Sequence, residues 1–339
     1  MENGLYYAAC CQTAFDCPRS ASEIAGRVDH MLTMIDHAVN GYKPFHDVRL
    51  VVFPEFAHAA PIYFSVKALR EKLAVPVPNE HVDRYIRKAA QLGIYIQTGS
   101  FLEAHEDFPE VVFNTTCLVG PEGVLATYRK THPWVPWEVA ASPHDIPDFP
   151  YDPFPVADTP IGKLAVAICY DWLFPEVLRQ YALKGAEVLI RISAYMDPWG
   201  TQEPMAWWTV INRARAIENV AYVVACNQGA DYRQYPPFSW PGGSMIVDYD
   251  GRILAQAERG PGERIVVGPV NIGMLRQERD RRQGHLMPAQ LRTELYRQYH
   301  HPMYPRAMDE ADAWPLSIEG NNRLIEQARE RWLKRGPRR

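Results

Sequence analysis

The sequence has no excess of positive charge. Its 36 lysines and arginines stand against 40 aspartates and glutamates, a formal net charge of -4. A basic field able to hold a phosphate backbone is missing, so nucleic acid is not an expected partner. No apolar run approaches the ~20 residues of a membrane-spanning helix, so no membrane partner is expected. The amino end, MENGLYYAACC, lacks a charged stretch followed by a long apolar one, and no signal peptide is read there. Six cysteines in 339 residues do not make a disulfide framework, and no pair has zinc-finger spacing. Most of the six read as buried core cysteines. No tandem repeat of fixed period occurs. Gly-x-Ser-x-Gly is absent, and Pro241-Gly242-Gly243-Ser244 leads into a strand rather than out of one, which weakens a Ser-His-Asp hydrolase reading. What remains is a chain with 47% apolar and 22% charged residues, long enough for a full core. Its default setting is soluble, reducing and cytoplasmic.

What is present is organised around Leu164–Ala194. Leu164 to Ile168 is an unbroken apolar run, the pattern of a strand buried on both faces. Cys169 follows it. A helix then starts with Pro175 and Glu176 in its first turn and stops at Lys184-Gly185. Glu187 to Ile192 returns as a second strand. Elsewhere, strands are expected at 6–11, 48–53, 95–102, 111–118, 124–129, 221–226, 245–248, 252–257 and 264–269. Helices are expected at 21–40, 80–92, 204–219, 272–283 and about 318–334. Residues 130–160, rich in Pro and aromatics, read as a long loop, and loops of this length are usually functional. Strands alternating with helices, plus hairpins, give an α/β layered domain with a mixed sheet. No linker composition occurs before about residue 285, so 1–284 is one domain and 285–339 a C-terminal arm. The arm is expected to pack on the domain or on a partner subunit.

Four side chains at strand ends carry possible chemistry. Cys169 is a candidate nucleophile, but only a thiolate attacks well, so it needs a base and a nearby cation. Glu55, in Phe53-Pro54-Glu55-Phe56, follows a buried strand. Apolar neighbours raise a carboxylate's pKa and suit it to take a thiol proton. Lys130, in Tyr128-Arg129-Lys130, offers a fixed ammonium for a thiolate or an oxyanion. Glu138 follows the stiff loop Pro133-Trp134-Val135-Pro136-Trp137. If the strands are neighbours in one sheet, these ends converge on one pocket.

These residues resemble the Glu-Lys-Cys triad of the nitrilase superfamily of carbon–nitrogen hydrolases. Glu55 after Phe-Pro, Lys130 in Tyr-Arg-Lys and Cys169 before Phe174-Pro175-Glu176 match its motifs in order and context. The likeness spans about Tyr7 to Gln283. Pro133-Trp134 followed by Glu138 is similar to the aliphatic amidases and formamidases, as is the run from Leu183 to Arg191 and Tyr195-Met196. The resemblance implies a four-layer αββα sandwich and Glu138 as a fourth catalytic-site member. It implies an amidase that uses no metal or organic cofactor and hydrolyses a small-molecule amide through a thioester on Cys169. The backbone N–H of Tyr170 would share the oxyanion with Lys130. It also implies a homodimer or higher homo-oligomer formed across the helical layer beside the nucleophile helix.

Two departures bear on substrate. Trp172 and Leu173 replace the arginines expected of an N-carbamoyl amino acid hydrolase, and Tyr170 is larger than small-amide enzymes suggest. Aromatics crowd the loops: Phe56, Tyr63, Trp134, Trp137, Trp172, Tyr195, Trp199, Phe238 and Trp240. Phe56, Tyr63, Trp134, Trp137, Tyr195 and Met196 are the expected substrate-binding residues, and a bulky or aromatic acyl group suits them. Other chemistries on the same site stay open: a nitrilase, a hydrazide or carbamoyl hydrolase, an acyl transferase, or a non-catalytic relative.

Overall fold

The computed structural model describes residues 4–15, 17–196, 205–235 and 239–335. The first half carries β1 (Leu5–Gln12), the two-residue β2 (Ala14–Phe15), α1 (Ile24–Asn40), β3 (Val48–Val52), α2 (Val66–Lys72), α3 (Glu80–Leu92), β4 (Tyr95–Glu103), β5 (Phe113–Gly120) and β6 (Gly123–Arg129). The second half carries β7 (Ala157–Thr159), β8 (Gly162–Ile168), α4 (Pro175–Leu183), β9 (Val188–Ser193), α5 (Trp207–Asn219), β10 (Tyr222–Asn227), the two-residue β11 (Gly229–Ala230), β12 (Met245–Val247), β13 (Ile253–Gln256), β14 (Arg264–Asn271), α6 (Ile272–Arg281), α7 (Met287–Gln290) and α8 (Ile318–Arg335).

Two mixed six-stranded sheets result, ordered β14-β1-β3-β4-β5-β6 and β13-β12-β10-β9-β8-β7. They stack face to face. The alternation of β1 shows why: Tyr6, Ala8 and Cys10 enter the core between the sheets, while Ala9 and Cys11 enter the core under α1 and α3. Strand faces buried on both sides explain the near-continuous apolar runs. On the far side, Val177, Leu178 and Tyr181 of α4 and Trp208 and Ala216 of α5 cover the second sheet. This is the four-layer αββα sandwich that the resemblance implied, with two sheets where the strand and helix pattern alone suggested one.

Most elements lie within a residue or two of their expected bounds. The Ser20/Glu23 cap forms in part, with the Glu23 carboxylate accepting the Ser20 amide at 3.0 Å. The helix expected from Pro204 is described from Trp207 onward; Pro204 lies outside the described residues. Helix α2 was not expected, because seven residues are too few to show a period, although Ser65 caps it by accepting the Ala68 amide at 3.2 Å. No helix among the described residues is long and apolar enough to cross a membrane.

Part of the carboxyl-terminal arm packs on its own chain: Ala307, Ala313, Leu316 and Leu324 are buried in the core that also holds α1 and α3. Leu295, Tyr296 and Tyr299, earlier in the arm, are exposed.

Candidate active site

The catalytic candidates converge, but across two sheets rather than within one. Glu55 follows β3 and Lys130 follows β6 in the first sheet; Cys169 follows β8 in the second. Facing sheets bring the carboxyl ends of their parallel strands to one edge of the sandwich, so residues far apart in sequence meet there.

Each backbone is bent to serve this. Pro54 offers no N–H and ends β3. Phe56 takes φ 56°, and its amide donates to Ser100 Oγ at 2.9 Å. Beside this turn Gly99 has φ +76°, and a Cβ there would lie 2.7 Å from the Pro54 carbonyl oxygen. Only glycine lets β4 pass so close. Lys130 is fixed by its own amide, which donates to the Asn114 carbonyl at 2.9 Å. The neighbouring Arg129 is locked by a buried two-pronged bridge to Glu103, both contacts 2.7 Å. Cys169 has φ 48°, an uncommon value for a residue with a Cβ and typical of functional turns. The turn is tied by Asp171, which is fully buried. Its carboxylate accepts from Ile168 N (2.9 Å), Tyr128 Oη (2.7 Å), Thr131 Oγ1 (3.0 Å) and His132 N (2.8 Å). One carboxylate thus joins the Cys169 turn to the segment carrying Lys130.

At the centre is a buried charge network. Lys130 Nζ donates to Glu55 Oε1 at 2.7 Å and to Glu138 Oε1 at 2.6 Å. Asn114 Nδ2 reaches both carboxylates, Glu55 Oε1 at 2.9 Å and Glu138 Oε2 at 3.3 Å. The Ala194 amide, at the end of β9, donates to Glu55 Oε2 at 2.9 Å, and the Trp134 amide donates to Glu138 Oε1 at 2.8 Å. Lys130 and Glu55 are each 1% exposed. Two carboxylates share one ammonium, so every buried charge has a partner.

The electrostatics follow from burial. Burial works against the Lys130 ammonium, but Glu138, Glu55 and Cys169 outweigh it and hold its pKa above the ordinary lysine value. Burial also pushes the Glu55 carboxyl up, Lys130 pulling the other way and Glu138 adding to the rise. The part-exposed Cys169 thiol is raised by burial and by Glu55, both through its charge and through a hydrogen bond, against the pull of Lys130 and Arg191. The balance of these effects favours the thiol, with Glu55 placed to take its proton. Arg191, on β9, is fully buried, and its guanidinium lies 4.3 Å from the Trp208 ring centroid and 5.0 Å from that of Tyr195.

The aromatic residues divide. Phe56 lies with its ring centroid 5.9 Å from Lys130 Nζ, and Trp137 packs edge-on against it at 6.3 Å. Tyr170 sits beside Cys169, and Tyr195 lies near both Arg191 and Cys169. Trp134 joins the group through its backbone, and Met196 is exposed beyond Tyr195. Tyr63 is engaged elsewhere: its hydroxyl donates to the Arg19 carbonyl at 3.0 Å, and Lys72 Nζ lies 4.3 Å from its ring centroid. Trp172 and Trp240 are core residues. Trp172 Nε1 donates to the Ala167 carbonyl at 3.1 Å, and Trp240 stacks on Phe15 at 4.2 Å. Trp199 and Phe238 lie outside the described residues.

The model of the carbon–nitrogen hydrolase family matches residues 7–280. The chain belongs to that family. Formamidases from Bacillus cereus and Bacillus thuringiensis are each 33% identical to it over 246 residues, 72% of this chain and 68% of theirs. This places the hydrolase in the amidase/formamidase branch of the nitrilase superfamily, acting on amide C–N bonds other than peptide bonds. Yeast Nit3, from branch 10 of that superfamily, shares the fold with a TM-score of 0.66 at 24% identity, over 82% of this chain and 96% of its own. So does an amidase from Nesterenkonia sp. AN1 with the acetamide moiety of fluoroacetamide added covalently at its active-site cysteine. Its TM-score is 0.63 at 22% identity, over 87% of this chain and 96% of its own.

Asn114 and Asp171 were not singled out from the sequence as site residues. A signal existed for Asn114: it interrupts the run Val111-Val112-Phe113 with a side chain that strands rarely carry.

Proposed function

We propose that this carbon–nitrogen hydrolase cleaves a small-molecule amide to a carboxylic acid and ammonia or an amine through a thioester on Cys169. Glu55 takes the thiol proton as sulfur attacks the carbonyl carbon. The C=O pair becomes an oxyanion, facing Lys130 Nζ and the Tyr170 N–H in the first turn of the helix that opens at Cys169. As the C–N bond breaks, Glu55 returns its proton to the leaving nitrogen. Glu55 then deprotonates a water that attacks the thioester, and the acid leaves with the thiol restored. Glu138 holds the ammonium on its far side. The observation that carries this reading is Lys130, whose single ammonium bonds both carboxylates beside the sulfur.

The rings of Phe56, Trp134, Trp137, Tyr170 and Tyr195 favour a flat, apolar acyl group over a formyl group. A panel of aliphatic and aryl amides, hydrazides and nitriles tests both parts. We expect ammonia release from amides, fastest for aryl acyl groups, with a transient mass gain on the chain equal to the acyl group. Fastest turnover of formamide would remove the acyl preference alone. Turnover of nitriles but not amides would overturn the reaction.

The raised Glu55 pKa gives a signed expectation. The base works only when ionised, so kcat/KM falls as pH drops through the folded-state pKa. That acid limb is expected above the ~4.3 of an ordinary glutamate. A limb at the ordinary value would contradict Glu55 as the base.

We further infer a homo-oligomer. Leu183 at the end of α4 and Val210 and Ile217 on α5 are exposed apolar residues on the outer helical layer, a suitable surface for a second copy. The exposed Leu295 and Tyr299 extend the proposed contact into the arm, whose boundary we set near residue 285. Six cysteines scattered without framework spacing through 339 residues suit the reducing, cytoplasmic setting we assign.

A further inference from the structure

Glu138 is placed by a loop, and the loop is held from the far end of the chain. Residues 134–138 form a tight turn, in which the Trp137 and Glu138 amides both donate to the Trp134 carbonyl, at 3.0 and 2.9 Å. Two other carbonyls of the turn, those of Val135 and Glu138, are bonded by the arm. Asn321, in the first turn of α8 and 1% exposed, donates from Nδ2 to the Glu138 carbonyl at 2.9 Å and the Val135 carbonyl at 3.3 Å. One amide group spans both ends of the turn. It is itself fixed, because its backbone amide donates to the Ser317 carbonyl at 2.9 Å and Leu324, three residues on, is buried in the core. The arm binds the same long loop at a second place. The Ala307 amide donates to Asp145 Oδ1 at 3.2 Å and Arg306 Nε donates to the His144 carbonyl at 2.9 Å.

We propose that Asn321 is a positioning residue for the reaction, and that the carboxyl-terminal arm sets the reach of Glu138 toward Lys130 within the same chain. The proposal rests on the role given to Glu138 above. The physical argument is short. Glu138 bonds Lys130 at 2.6 Å only while its Cα stays where the turn puts it. Two carbonyls facing a buried amide have no alternative donor once that amide is removed, so the turn relaxes and the carboxylate with it. A shift of an ångström in a group aligning a catalytic ion costs on the order of a hundredfold in rate. Trp134 and Trp137 stand on the same turn, so the main loss falls on kcat through the carboxylate and a smaller one on KM through these rings.

The test is a double-mutant cycle of Asn321→Ala and Glu138→Gln in the full-length protein, with folded sites counted by iodoacetamide labelling of Cys169. We expect Asn321→Ala to lower kcat per labelled site by about ten- to a hundredfold, with a smaller rise in KM. Asn321→Ser, which keeps one donor, should fall between it and wild type. In the Glu138→Gln background Asn321→Ala should cost little more, because both changes act through one carboxylate. Should Asn321→Ala fail to fold, the serine variant alone carries the comparison in both backgrounds. Equal losses in both backgrounds, or a lowered melting temperature with wild-type kcat per site, would overturn the proposal. A slow Glu138→Gln enzyme with a fully active Asn321→Ala enzyme would overturn it and leave the role of Glu138 standing. A fully active Glu138→Gln enzyme would remove that role and this inference together.

Discussion

Replacing Cys169 with alanine is expected to lower kcat by about five to six orders of magnitude, as loss of a covalent nucleophile does elsewhere, and to leave the fold intact. The second half is as informative as the first. Alanine keeps the Cβ that makes φ 48° at this position uncommon, so the backbone of the turn is neither relieved nor newly strained. The bonds that fix the turn run through Asp171, not through the sulfur. The melting temperature should therefore stay near wild type while the acyl mass adduct disappears. Cys169→Ser should be nearly as slow, because a hydroxyl holds its proton far more tightly than a thiol and Glu55 is a carboxylate base. Steady-state turnover and intact mass after mixing with amide decide the matter. An alanine variant retaining activity, or still gaining the acyl mass, ends the assignment of Cys169.

The second large effect is expected at Lys130, on both activity and stability. Lys130→Met removes the only group among the described residues bonded to both Glu55 and Glu138 at under 2.8 Å and leaves two carboxylates in a buried site. Breaking a buried pair in this way costs about 3–5 kcal/mol, and the lost oxyanion contact alone costs about a hundred- to a thousandfold in kcat. The pH dependence has a definite sign. Without the ammonium the Glu55 carboxyl, already raised by burial, loses the pull that lowers it and is pushed further up. The folded state then keeps protons that the unfolded state releases. The variant is best off below the ordinary glutamate pKa and loses stability as pH rises through the raised Glu55 value. Its deficit against wild type should shrink on going from pH 8 toward pH 5. Adding Glu138→Gln should return part of the stability and none of the activity. A Lys130→Met protein as stable as wild type at neutral pH would show that the three groups are not coupled as drawn.

The parts of this site differed in how far the sequence could show them. Glu55, Lys130 and Cys169 stand where an apolar run stops, and a polar side chain at such a point is visible in one pass along the chain. Glu138 has no run behind it; the stiff loop at 133–137 marked it as a candidate, and the likeness to amidases supplied its catalytic role. Asn114 sits inside β5 and Asp171 inside the Cys169 turn, where nothing local tells a site residue from an ordinary buried polar group. The pocket rings divided in the same way. Trp172 and Trp240 have the composition of a pocket wall, yet Trp172 Nε1 is taken by the Ala167 carbonyl and Trp240 by stacking on Phe15. Aromatic side chains serve core and pocket equally well, and only their neighbours distinguish the two.

The sequence by itself determined the elements, their order and the three strand-end residues, because hydrophobic period, proline and glycine act over a few residues at a time; the αββα layering came from the family resemblance. Tertiary structure alone decided that the acid and the ammonium come from one sheet and the sulfur from the other. It also brought Ala194 and Asn114 to the Glu55 carboxylate and placed Asn321 beneath the Glu138 turn. Each of these is a contact between segments tens to hundreds of residues apart. Such contacts exist only once two apolar faces have closed on each other, and no local preference encodes them.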